Sequence, residues 1–169
     1  MTDPLNLLIE LAKKKTIDSK WTDKPLYSIK ILDNSCKGDL AEEFVMEYCK
    51  KLGFKVEFGK SRLGDYDLDI EGKKFEVKMA TEDKNGNFQF NHIRYDYKYH
   101  YLICIGITPD SILFTIHTKA DVATGKAGSL VSMGRGQNSS FKLTRPKKTL
   151  CPIIGLNDKL KLILKEKQE

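Results

Sequence analysis

The sequence predicts an α/β protein, and three stretches carry that prediction. Between about Lys37 and Leu52, the residues Ala41, Phe44, Val45, Tyr48 and Leu52 recur on one helical face, and Gly53 follows as a terminator. From Tyr66 to Lys78 apolar and charged residues alternate on either side of Glu71-Gly72, the pattern of a β-hairpin. Tyr101 to Ile107 is an unbroken apolar run, as expected of a central strand buried on both faces.

The remaining elements follow in order. Leu5, Leu8, Ile9 and Ala12 have helical spacing between Pro4 and about Lys15, and proline suits a first turn. Trp21 to Asp33 has no clear period. Phe54 to Phe58 alternates as a half-buried strand does, Thr81 to Asn87 reads as a polar loop, and Phe88 to Tyr99 is aromatic-rich and ambiguous. Pro109-Asp110 makes a turn before a strand at Ile112 to Ile116. From Lys119 to Lys148 the composition shifts to Gly, Ser, Lys and Arg, which reads as a long structureless segment. Leu160, Leu162, Ile163 and Leu164 mark a short amphipathic helix between Leu156 and Gln168. One domain over residues 1–169 is expected, with its core at about 36–117.

Composition narrows the function. With 40% hydrophobic and 31% charged residues the chain suits a globular fold with a real core. Its 29 basic and 23 acidic residues leave a net charge of +6, which favours an anionic partner, nucleic acid before a membrane surface. No apolar run approaches the roughly 20 residues of a membrane span, and the N-terminus lacks a basic, then apolar, signal pattern. Cys36, Cys49, Cys104 and Cys151 form no C-x-x-C pair, so structural zinc has little support. Four separate thiols suit a reducing cytoplasm, and each is expected to be a buried packing group.

The hairpin brings acids together. Tyr66, Leu68, Ile70, Phe75 and Val77 are expected on one face, with Asp65, Asp67, Asp69, Glu76 and Lys78 on the other. A two-residue turn at Glu71-Gly72 pairs Leu68 with Phe75 and sets Asp67 across from Glu76; a four-residue loop would set Asp69 there instead. Either register puts two carboxylates within about 5 Å across the strands. Like charges this close repel, and a divalent cation removes the conflict. Mg²⁺ takes one or two carboxylates plus water and phosphate oxygens. Lys78, projecting the same way, can offset charge or orient an attacking water. Such a group suits phosphodiester hydrolysis.

Asp67, followed nine positions later by Glu76-Val77-Lys78, resembles the D…(D/E)-x-K signature of the PD-(D/E)XK nuclease superfamily, with Tyr66 where a proline often stands. Gly38-Asp39-Leu40-Ala41-Glu42 at a helix start is similar to that superfamily's first motif. Phe88 to Arg94, Tyr101 to Ile107 and the polar segment before Phe141 look like those of some type II restriction endonucleases. The resemblance covers about residues 36 to 117. It implies a central mixed β-sheet flanked by helices, the restriction endonuclease-like core, and Mg²⁺-dependent cleavage of duplex DNA, with Mn²⁺ as a substitute. Asp67 and Glu76 would be metal ligands, Lys78 the water-orienting or charge-stabilising group and Glu42 an auxiliary acid. A homodimer with one metal centre per subunit would match a palindromic target.

Lys60, Arg62, Lys84, Gln89, Asn91, Arg135, Gln137, Asn138 and Lys142 are the expected DNA contacts, being side chains that bond phosphates and base edges. His92 is a further candidate in the site. Two other readings compete: a structure-specific repair or junction-resolving nuclease of the same fold, and a non-catalytic DNA-binding protein with a structural carboxylate pair.

Overall fold

The computed structural model describes residues 3–15, 19–59, 65–94, 96–134 and 140–165. Its frame is a mixed six-stranded sheet in the order β1 (Val56–Phe58), β2 (Leu68–Ile70), β3 (Lys73–Thr81), β5 (Tyr101–Ile107), β6 (Ile112–Thr118), β9 (Cys151–Pro152). Only the β3–β5 pair is parallel. A second, three-stranded sheet joins β4 (Asn87–Ile93), β8 (Phe141–Pro146) and β7 (Leu130–Ser132).

Two apolar layers hold these parts together. On one face of the large sheet, Phe75, Val77, Ile103 and Ile105 meet Ala41, Val45 and Cys49 of α3 (Asn34–Lys51) and Leu156 and Leu160 of α5 (Leu156–Lys165). On the other face, Leu102, Cys104 and Leu113 meet Phe88, Phe90 and Leu143 of the small sheet and Val122 of α4 (Lys119–Ala123). The expected central mixed sheet with helices packed on it is present, and β5 is buried on both faces.

Local chemistry explains the boundaries. Helix α3 begins three residues before the sequence suggests because Asp33 caps it, its side chain accepting from Cys36 N at 2.8 Å. It ends in a glycine stop: Gly53, at φ 91°, donates to Lys50 O, and Phe54 N donates to Cys49 O. The buried stripe is Ala41-Val45-Cys49, while Phe44 and Tyr48 stack beside it. In the hairpin, Glu71 (φ 50°) and Gly72 (φ 81°) both take the left-handed conformation that a tight two-residue turn requires. Leu68 therefore pairs with Phe75, the shorter of the two expected registers.

Several expectations are corrected. The segment 119–148 is not structureless: it supplies α4, β7 and β8. Its alternation was hidden because the outward residues of β8, Lys142 and Thr144, dilute the inward Leu143. The ambiguous stretch after Phe88 begins as strand β4, and the region after Trp21 holds the short helix α2 (Tyr27–Ile31), with Trp21 itself fully buried. Tyr66 packs in the layer against the small sheet, not with Leu68 and Ile70, because the chain has left the ladder before Leu68. Cys36 and Cys151 are exposed; only Cys49 and Cys104 are buried. Among the described residues no helix is long and apolar enough to cross a membrane.

Candidate active site

Strand β2 is only three residues long and pairs with Lys73, Lys74 and Phe75. Beyond that point β3 continues to Thr81 along β5 with no strand on its other side among the described residues. An unpaired strand edge leaves backbone donors to be met by something else. Asp67, just upstream of β2, fills the first place: its Oδ2 accepts from Val77 N at 2.7 Å. The carboxylate thus takes the position that a longer β2 would have filled with a carbonyl.

Glu76 and Lys78 project from the same half of β3. Lys78 Nζ lies 2.5 Å from Glu76 Oε1 and 4.0 Å from Asp67 Oδ2, so the two carboxylates share one ammonium group. Glu76 is 2% exposed, and its second oxygen, Oε2, is buried without a hydrogen-bond partner. Glu82, the other buried acid, differs: its two oxygens face Lys20 at 3.8 Å and Lys147 at 3.7 Å. Glu42 comes from α3 and lines a cleft of about 330 Å³ together with Val77, Lys78, Gln89, Asn91 and His92. A second cleft of about 500 Å³ is lined by Asp67, Glu76, Lys78, His92, Arg94, Tyr97 and Ser140. Lys78 and His92 line both.

Burial sets the protonation of this group. It pushes Glu76 up to about 7 against the pull of Lys78, and neighbouring Asp67 and Glu42 add to the rise. Glu42 is likewise pushed up to about 7, by burial first and then by Asp67. Asp67 is raised, chiefly by burial, while Lys78 and the Val77 N–H hold it down. Burial would lower Lys78, yet Glu76, Asp67 and Glu42 together keep it above its ordinary value. Three acids thus crowd one ammonium, and near neutrality the group retains a proton or needs another cation.

That donor set suits a hard divalent ion. Among the described residues no three His, Cys, Asp or Glu side chains gather as a metal cage. Mg²⁺ needs no cage, because one or two carboxylates and several waters suffice. The unpartnered Glu76 Oε2 and the adjacent Asp67 would supply such a pair, and both residues belong to the lining of the 500 Å³ cleft.

Sequence reasoning had named Asp67, Glu76, Lys78 and Glu42, and the fold brings all four together. Gln89 and Asn91 line the neighbouring cleft, where Asn91 Oδ1 is buried without a partner. Asp69, the alternative ligand, points elsewhere, its Oδ1 accepting from Gly72 N at 2.8 Å. Lys84 and Lys142 lie outside the lining of both clefts. Lys60, Arg62, Arg135, Gln137 and Asn138 fall outside the described residues.

Arg94, Tyr97 and Ser140 were missed. Arg94 pairs with Asp96 and lies 4.7 Å over the Tyr97 ring, which holds its guanidinium at the cleft. His92 sits at a bulge where β4 slips relative to β8 between Phe90 and Ile93, with φ 57°. Bulges of this kind re-aim a side chain, and a left-handed histidine is strained. The only sequence signal is the broken alternation Phe88-Phe90-Ile93.

No protein-family model matches the sequence, and no curated protein matches it. The fold is similar to a solved structure of a bacterial homing endonuclease, I-Ssp6803I, with a TM-score of 0.49 and 20% identity over 79% of this chain and 93% of that one. At that level the likeness is a loose one of architecture.

Proposed function

We propose that this chain is a Mg²⁺-dependent DNA endonuclease that hydrolyses phosphodiester bonds in duplex DNA in the manner of a type II restriction enzyme. The observation that carries the reading is the buried, unpartnered Glu76 Oε2 beside Asp67 and Lys78 at an open cleft. A fold selected only for stability would pair that oxygen, as it pairs both oxygens of Glu82.

Asp67 and Glu76 would hold the ion. Bound there, Mg²⁺ supplies Lewis-acid stabilisation of phosphoryl charge and makes water a better nucleophile. Lys78, fixed between the two carboxylates, orients the attacking water and offsets charge that builds on the phosphate. Glu42, half protonated near pH 7, accepts the proton that water gives up. Arg94, which also lines this cleft, is available to meet a phosphate oxygen. The net charge of +6 favours the duplex as substrate, and a homodimer would present one such site to each strand.

Incubating the chain with supercoiled plasmid and Mg²⁺, with and without EDTA, tests the reading. Metal-dependent nicking or linearisation is expected, and sequencing the fragment ends then separates cutting at one short site from structure-directed cutting. Mg²⁺-independent DNA binding with no cleavage under Mg²⁺ or Mn²⁺ would favour the non-catalytic alternative.

A further inference from the structure

The face of β3 that carries Glu76 and Lys78 also carries Lys74, because side chains alternate along a strand. Phe75 and Val77 turn into the α3 layer, whereas Lys74 Nζ lies 5.0 Å over the ring of Tyr66, which packs in the layer on the other face. Lys74 is thus one step along the row from Glu76, roughly 7 Å of strand. Its row continues sideways. His100 N donates to Lys74 O and Lys119 N donates to His100 O, so Lys74, His100 and Lys119 lie side by side over about 10 Å. None of the three lines either cleft.

Cations crowd here as acids crowd at Glu76. His100 is held below its ordinary pKa by burial first, and then by Lys73, Lys74 and Lys119. Its Nδ1 accepts from Lys74 N at 3.0 Å, which leaves a neutral ring with its Nε2–H as a donor. The acids nearby are engaged: Asp96 with Arg94, Asp65 with Lys98, and Asp69 Oδ1 with Gly72 N. Among the described residues no carboxylate reaches Lys73, Lys74 or Lys119 at ion-pair distance. Aromatic rings hold two of these lysines in place without neutralising them. Lys119 Nζ lies 5.4 Å over the Tyr99 ring and donates to Tyr97 O, as Lys74 lies over Tyr66. Side chains fixed in this way lose little freedom when an anion arrives.

We propose that Lys74, His100 and Lys119 form a sequence-blind clamp on the DNA backbone, holding phosphates that neighbour the one to be cut. The placement beside the cut phosphate rests on the nuclease reading. A row of donors outside any cleft suits a repeating anion, whereas a single phosphate or nucleotide would call for a pocket. Ammonium groups and an imidazole N–H bond phosphate oxygens and position a duplex without reading its sequence. Because the row shares a face of β3 with Glu76 and Lys78, one strand can meet the clamp and the acid cleft together. A membrane surface would call for exposed apolar side chains among the cations. Here the rings beneath the lysines are packed inward, Tyr99 being only 2% exposed.

Titrating two labelled duplexes of unrelated sequence with the full chain, in Ca²⁺ and at several salt concentrations, tests the clamp. Lys74→Gln/Lys119→Gln, with circular dichroism as a folding control, is expected to bind both duplexes roughly tenfold more weakly. Its slope of log affinity against log salt should be shallower by about 2. Lys74→Arg/Lys119→Arg is expected to keep the wild-type slope. Lys50→Gln, which removes a lysine already paired with Glu47, is expected to change neither quantity. A wild-type slope in the Gln variant, a loss on one duplex only, or a loss that the Arg variant shares overturns the proposal. So does a Gln variant that binds DNA as the wild type does but loses binding to phosphatidylserine vesicles. The nuclease reading fails separately: a chain that loses duplex binding in the expected way but cuts no plasmid under Mg²⁺ or Mn²⁺ keeps the clamp and loses the catalytic assignment.

Discussion

Glu76 and Glu82 are two carboxylates six positions apart on one stretch of chain, both buried, and they have opposite surroundings. Glu82, just past the end of β3, has a lysine for each oxygen, Lys20 and Lys147, brought from both ends of the chain. Glu76 has one lysine for one oxygen and nothing for the other, and it sits beside Asp67 where a like charge is least welcome. Burial of an acid therefore does not mark a reactive site. What sets Glu76 apart is the valence left unmet after the fold has supplied its own partners. The hairpin repeats the contrast among its other acids: half-buried Asp69 and exposed Glu71 spend an oxygen each on the N–H groups of Gly72 and Lys55.

Substitution separates the two acids most sharply in cleavage. Under the proposed reading, Glu76→Gln, Asp67→Asn and Lys78→Met should each lower plasmid cleavage by about 10³-fold or more, since each would remove a proposed metal ligand or the proposed water-orienting group. Glu82→Gln and Asp69→Asn should cleave within a few-fold of wild type. Glu42→Gln should fall between, at roughly 10–100-fold, as expected for loss of a proton acceptor. Rates measured at saturating Mg²⁺ with circular dichroism as a folding control decide the matter; cleavage by Glu76→Gln at the wild-type rate removes the assignment.

Stability should separate them with the opposite sign. Glu82→Gln loses two charge pairs and should cost about 1–2 kcal/mol. Glu76, pushed up to about 7, binds a proton in the native state that an unfolded carboxyl releases near 4.3. Its contribution is fully present below that lower value and is lost as pH rises through 7. Lys78, raised above its ordinary value, titrates well outside this window. In EDTA the melting temperature should therefore fall between pH 5 and 8, by several degrees if about 2 kcal/mol is involved. Glu42, also pushed up to about 7, adds to that fall with the same sign, so Glu76→Gln should remove roughly half of it and Glu76→Gln/Glu42→Gln most of it, and Mg²⁺ should reverse it in wild type alone. A melting temperature in EDTA that is level across this range would mean Glu76 stays ionised against Lys78.

The sequence made much of this legible, and the reason is periodicity. Alternation at Leu68, Ile70, Phe75 and Val77 and the Glu71-Gly72 turn determine a register, and the register brings Asp67 and Glu76 to one place. Helix α3 could be read from its apolar stripe, which also delivered Glu42. What stayed hidden depends on contacts between distant segments. The small sheet pairs β4 with β8 across some 50 residues, and no local pattern in the Lys- and Ser-rich chain announces it. The end of β2 at Leu68, which opens the edge of β3 to Asp67, is a fact about where a chain leaves a ladder. Asp67 and Asp69 look alike in sequence for that reason. Arg94 and Tyr97, just past the end of β4, and Ser140, just before β8, meet at the cleft only in the fold.

The bulge of β4 at His92 gives a third way to sharpen the contrast between residues held for stability and residues held for function. His92 at φ 57° costs the fold something that glycine would not. His92→Gly should raise stability by up to about 1 kcal/mol while lowering cleavage roughly tenfold. His92→Asn, which tolerates the same backbone, should keep the stability and test the imidazole alone. Unaltered cleavage in both variants would make the bulge purely structural.

The smallest effect concerns the surface away from the cleft. Lys142 lies on the small sheet, paired with Val131 and outside the lining of both clefts. If the duplex runs across this sheet to reach the site, Lys142 meets a phosphate and not a base. Lys142→Ala should then weaken binding a few-fold on every sequence alike and reduce the slope of log affinity against log salt by about 1. Gln89→Ala, at the cleft and able to bond a base edge, should instead relax discrimination between sequences at one position and leave the salt slope unchanged. Titrating labelled duplexes at several salt concentrations in Ca²⁺, which permits binding without turnover, distinguishes the two outcomes. An unchanged salt slope for Lys142→Ala would place the DNA on the other side of the molecule, along α3 and the Glu42 cleft.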